Sequence, residues 1–121
     1  MYMRVAIIGL GLIGGSIALG LKQANPEIKI VGIARRQETI DEALSRQAID
    51  EGTTDLSQGI TDADIVFLCT PINLIVPTLK KIAKHLKSGA IVTDVGSSKG
   101  EIVAEVAKVT PKIVHFIGGH P

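Results

Sequence analysis

Aromatic side chains are nearly missing from this chain: Tyr2, Phe67 and Phe116 are the three, and tryptophan is absent. That poverty argues against the stacking platforms on which single-stranded nucleic acids are held. Cysteine occurs once, at Cys69, so no internal disulfide can form and nothing points to an oxidising compartment. Charge of one sign is not in excess either. The formal net charge is +1, which gives no electrostatic footprint for nucleic acid or another polyanion. A membrane-length apolar run is also lacking. The uncharged stretch from Val5 to Leu21 is seventeen residues long and contains five glycines, at 9, 11, 14, 15 and 20. It is slightly short for a span, too glycine-rich for a hydrophobic helix, and followed by no small-residue cleavage site. These absences lead to the expectation of a soluble, cytoplasmic chain with no membrane or nucleic-acid partner. What is present fits one ordered domain: 121 residues, 45% hydrophobic and 21% charged.

The hydrophobic pattern alternates between two periods. Arg4-Val5-Ala6-Ile7-Ile8 is a short apolar run ending in glycine, as expected of a parallel strand buried on both faces. Ile13, Ile17 and Leu21 then recur at helical spacing until Asn25-Pro26 stops the helix. Ile28 to Ile33 is a second strand, and Ile40, Ala43 and Leu44 mark a second amphipathic helix. Gln47 to Gly59 is polar and weakly patterned, with room for a very short strand near Ile49. Strand character returns over Asp64 to Cys69 and is broken by Thr70-Pro71. Ile75, Leu79, Ile82, Ala83 and Leu86 share one helical face, with Lys80, Lys81, Lys84 and Lys87 on the rest. Ala90 to Asp94 is a strand, Ile102, Val103 and Val106 lie in a helix, and Ile113 to Ile117 is the last strand. Strands alternating with helices over the whole length predict an α/β fold with a mainly parallel sheet and helices on both faces.

Gly9-Leu10-Gly11-Leu12-Ile13-Gly14 matches G-x-G-x-x-G, follows a predicted strand and opens a predicted helix. In that context the string is a Rossmann-type dinucleotide fingerprint. Gly9 permits the tight turn, Gly11 lets backbone approach a pyrophosphate, and Gly14 lets the helix pack closely. The pyrophosphate then meets the helix N-terminus, so Leu12 and Ile13 also belong to the expected contact set. The end of the second strand decides which dinucleotide is held. An NAD site places Asp or Glu about twenty residues beyond the motif. Twenty residues past Gly14 stands Ala34, followed by Arg35 and Arg36. A carboxylate there would repel a 2′-phosphate, whereas a guanidinium binds it bidentately, so NADP is the expected cofactor. A solvated arginine pair at a strand end is the plainer alternative.

Cys69, Thr70 and Pro71 fall at the carboxyl end of the fourth strand, where ligands bind in open α/β sheets. Cys69 itself suits a small core position better than a nucleophile. Asp94-Val-Gly-Ser-Ser-Lys-Gly100 lies at the same edge, where Ser97 or Ser98 could cap a helix. Gly118-Gly119-His120-Pro121 follows the last strand, and His120 beside a nicotinamide would suit proton acceptance near neutrality. His85 and His115 carry no such signal. No metal-ligand spacing occurs.

Taken together, Gly9 to Ser16, Phe67 to Pro71, Asp94 to Gly100 and Phe116 to Pro121 resemble the prephenate/arogenate dehydrogenase family. The resemblance implies that residues 1–121 are an NADP-binding Rossmann domain, matching the amino-terminal half of the family. Members continue into a helical domain that completes the substrate pocket and forms a homodimer. The implied reaction removes hydride from a hydroxyl-bearing ring carbon while the ring carboxylate leaves as CO2, in tyrosine biosynthesis. On that resemblance His120 matches the histidine that bonds the ring hydroxyl, and Ser97 the serine that orients it. Ala34-Arg35-Arg36 departs from NAD-using members and resembles NADP-using ones, several of which prefer arogenate. Three rivals remain at this point: another NADP reductase, of the β-hydroxyacid dehydrogenase or pyrroline-carboxylate reductase kind, a non-catalytic NADP-sensing module, and a bare Rossmann scaffold without ligand.

Overall fold

The computed structural model describes residues 3–94 and 115–118 of the chain. The first apolar run forms β1 (Arg4–Ile8), whose last four residues are buried. Successive strand residues point to opposite faces, so burial of all four requires cover on both. Val5 and Ile7 join Ala18, Ile30 and Ile40 in one core. Ala6 and Ile8 join Ile33, Leu68, Ile75 and Leu79 in another. Helices α1 (Leu12–Ala24) and α2 (Gln37–Ser45) supply the first layer. The second comes from α3 (Leu56–Ile60) and α4 (Ile72–Ile82). Ile75, Leu79 and Ile82 on α4 are fully buried, each stabilising the fold by about 1.5–3 kcal/mol relative to exposure.

The remaining strands are β2 (Lys29–Ile33), β3 (Glu51–Thr53), β4 (Ile65–Leu68), β5 (Ile91–Asp94) and β6 (His115–Gly118). They form one sheet in the order β3-β2-β1-β4-β5-β6, and every pairing is parallel. The chain winds outward from β1 to β3, then returns to β4 on the other side of β1. This is the doubly wound Rossmann arrangement expected from the sequence, with its switch point between β1 and β4. A crevice therefore opens outside the carboxyl ends of those two strands.

The very short strand allowed near Ile49 is Glu51–Thr53, beginning two residues beyond it. Ile49 is buried because it packs into the core under α1 and α2, not because it lies in the sheet. The same stretch also hides α3, started by Asp55, whose carboxylate accepts from the Gln58 backbone N–H at 3.2 Å. Farther on, α4 ends at Ile82 and a 3-10 turn (Ala83–His85) carries the chain to the buried Leu86. The expected helix through Ile102, Val103 and Val106 lies outside the described residues. No helix among the described residues is long and apolar enough to cross a membrane.

The amino edge of the sheet is tied by charge. The Asp64 carboxylate accepts the Arg4 backbone N–H at 2.8 Å and pairs with Lys87. Asp50 accepts the Ile30 backbone N–H at 2.8 Å and pairs with Lys22, also at 2.8 Å. Glu51 stands 3.2 Å from Lys29 and 3.6 Å from Arg4.

Candidate functional site

At the carboxyl edge three strand ends are knitted together. The Cys69 N–H donates to Ile8 O at 2.8 Å, and the Gly9 N–H to Ile33 O at 2.8 Å. Gly9 turns the chain with φ +96°, a left-handed conformation that L side chains rarely adopt. A Cβ on it would also lie 2.7 Å from Cys69 O. Gly14 is needed for contact instead: a Cβ there would sit 1.9 Å from Gly9 O, so α1 lies directly on the turn. Gly11 differs from both, because a Cβ on it would meet nothing within 4 Å. The space it leaves belongs to the cleft.

That cleft has a volume of about 580 Å³. Its floor is the glycine turn, and Arg35 and Arg36 from the β2–α2 loop form one wall. The end of β4 contributes Cys69, Thr70 and Pro71. The opposite wall is one face of α4, carrying Leu74, Pro77, Thr78 and Lys81. Among the described residues no carboxylate lines it. Helix α1 opens here at Gly11 with no side-chain cap and no acidic residue in its first turn. Its leading N–H groups have no intrahelical acceptor, so this end favours an anion.

Of the residues singled out from the sequence, Gly9, Gly11, Arg35, Arg36, Cys69, Thr70 and Pro71 line this one cleft. Gly14 supports it from below. Leu12 is 89% exposed and is not among the cleft's lining residues, so its contribution is confined to the helix's first turn. Ile13 also lies in that turn, with its side chain outside the described residues. Ser97 and His120 lie outside them too. Sequence reasoning missed Thr39, Thr54, Leu56 and the α4 face. The signal for the last was available, since Leu74, Thr78 and Lys81 recur at helical spacing on the face that flanks buried Ile75, Leu79 and Ile82.

The chemistry of the lining is that of binding. Burial pushes the Cys69 thiol up to about 11, so it is protonated at neutral pH and is no nucleophile. Among the described residues no cluster of His, Cys, Asp and Glu could hold a metal ion. Arg36 reaches Glu38 Oε2 at 2.9 Å in an exposed pair. The Thr70 Oγ1 is buried and, among the described residues, has no hydrogen-bond partner. A dinucleotide fits these features: backbone room at Gly11, an uncapped helix end, an unsatisfied hydroxyl, and cations at the far wall.

The sheet order and this cleft define a nucleotide-binding domain of the dehydrogenase kind. Residues 17–121 match the family model described as prephenate dehydrogenase, nucleotide-binding domain, and the chain belongs to that family. A prephenate dehydrogenase of Lactococcus lactis is 43% identical over 120 residues, covering 98% of this chain and 33% of that protein. The crystal structure of Synechocystis arogenate dehydrogenase superposes with a TM-score of 0.88 at 44% identity. That of Aquifex aeolicus prephenate dehydrogenase with hydroxyphenyl propionate and NAD+ also gives 0.88, at 35% identity. Each structural match covers 98% of this chain and 41% of the other. The chain thus spans about a third of the length of the curated relatives it matches.

Proposed function

We propose that residues 1–121 are the NADP-binding domain of an arogenate or prephenate dehydrogenase acting in tyrosine biosynthesis. The observation that carries this reading is the ribose end of the cleft, where Arg35 and Arg36 stand and no described lining residue is acidic. A 2′-phosphate is favoured by that charge, and a carboxylate in its place would repel it. The Arg36–Glu38 pair is no barrier, because an exposed ion pair contributes only about 0–1 kcal/mol.

When bound, NADP supplies a nicotinamide able to accept hydride. The chain's own residues do the rest of the holding. The α1 N-terminus and Gly11 receive the pyrophosphate, the Thr70 hydroxyl donates to the bound dinucleotide, and Gly9 and Gly14 keep the turn against the helix. His120 takes the proton of the substrate hydroxyl, with Ser97 orienting it. In the whole protein a helical domain completes the substrate pocket and the dimer, in the cytoplasm. Alone, this domain binds NADP and turns over little substrate.

Titration of the chain with NADP and NAD, with and without Arg35→Ala, tests the reading. NADP should bind at least about tenfold more tightly, and Arg35→Ala should remove most of that preference. Equal affinities would overturn the assignment to NADP. In a longer protein that contains this domain, His120→Asn should abolish turnover and leave cofactor binding intact. A sensing module would keep its response.

A further inference from the structure

The cleft draws its positive charge from two walls, and only one of them was legible as a cofactor determinant. Four lysines follow one another around the end of α4, at 80, 81, 84 and 87. Lys87 is engaged with Asp64 at the amino edge of the sheet. Lys81 is the one that lines the cleft, on the same helical face as Leu74 and Thr78. Seven residues separate it from Leu74, which places it about 10 Å farther along the helix from Pro71 and the pyrophosphate end. Its charge therefore enters the cleft away from the glycine turn, in the same cleft that Arg35 and Arg36 line from the β2–α2 loop.

Resting on the reading of the cleft as an NADP site, we infer that Lys81 is a specificity-determining residue for the 2′-phosphate. It supplies a third cation from the α4 wall, with the Thr78 hydroxyl one turn before it. An ammonium on a flexible stem acts on a phosphate as a point charge, and that attraction is screened by salt. NAD lacks the 2′-phosphate, and its pyrophosphate belongs to the glycine turn at the other end of α4. Lys81 therefore widens the gap between the two cofactors without being needed for dinucleotide binding as such.

Dissociation constants for NADP and NAD on the chain, its Lys81→Gln and Lys81→Arg variants, at low and high ionic strength, decide the matter. Lys81→Gln should weaken NADP about fivefold at low salt, with NAD held within about twofold and the NADP loss shrinking at high salt. Lys81→Arg should keep the preference. Lys81 is exposed, so the melting temperature of each variant should match that of the parent. An equal loss for both cofactors, which would make Lys81 a cover for the shared adenosine, overturns the inference. So does an unchanged preference in Lys81→Gln, which leaves the NADP reading itself standing. A parent chain that binds NAD and NADP alike sinks both.

Discussion

The two edges of the sheet treat charge in opposite ways. At the amino edge Asp64, Asp50 and Glu51 are each matched by a lysine or arginine, and two of them also accept a backbone N–H from the first two residues of a strand. At the carboxyl edge Arg35, Arg36 and Lys81 line a cleft that no described carboxylate enters, beside a buried hydroxyl left without a described partner. The first edge is electrostatically closed and serves the fold. The second is open and serves a ligand. At the open edge Gly9 and Gly14 hold the turn close against the end of β4 and the start of α1 through backbone contact.

Substitutions should separate the edges, and the largest effect is expected where packing and binding meet. Gly14→Val forces a side chain into Gly9 O and should cost about 3 kcal/mol in chemical denaturation. A stable variant would mean that α1 can lift off the turn. Gly11→Val should do the reverse. Its φ of −73° suits any residue and its surroundings are empty, so stability should fall by less than about 1 kcal/mol. The new side chain fills the cleft, however, and NADP affinity measured by calorimetry should drop at least about tenfold, or about 1.4 kcal/mol.

Next in size comes the closed edge. The Arg4 backbone N–H, then Lys87, hold the Asp64 carboxyl below the usual 3.8. The folded chain therefore binds fewer protons than the unfolded one at low pH. Asp64 stabilises the fold above the ordinary carboxylate range, and this is lost as pH falls through its depressed value. Asp64→Asn should cost about 1 kcal/mol at neutral pH, allowing for solvent screening. The gap to the parent should close on acidification below about pH 4, and NADP affinity should not move. A change in affinity would break the separation of the edges. The smallest effect belongs to Glu38. Removing its hold on Arg36 by Glu38→Gln should tighten NADP about two- to threefold and leave NAD unchanged.

Much of this was legible because it is local. β1, β2, β4 and β5 are apolar runs with turn residues behind them, and the glycine fingerprint states its own geometry. What escaped depends on position in the sheet. β3 is an edge strand of three residues, none fully buried, so no apolar run announces it. Ile49 carried the apolar signal nearby, but its burial comes from packing under α1 and α2. α3 was too short for periodicity, although Asp55 three residues before Gln58 is a capping pattern that could have revealed it. Within the site, the β2–α2 arginines could be counted from the motif, whereas Thr54 and Lys81 meet them only after the sheet has folded. Lys81 in particular read as part of a solvated helical face.

The shortness of β3 has a consequence for assembly. A sheet edge offers a row of backbone groups to any passing strand, and long flat edges invite fibrils. Here the outer strand ends after three residues and begins with Glu51, already gripped by Arg4 and Lys29. A strand added by another copy would find few rungs to climb. On this side the sheet terminates itself.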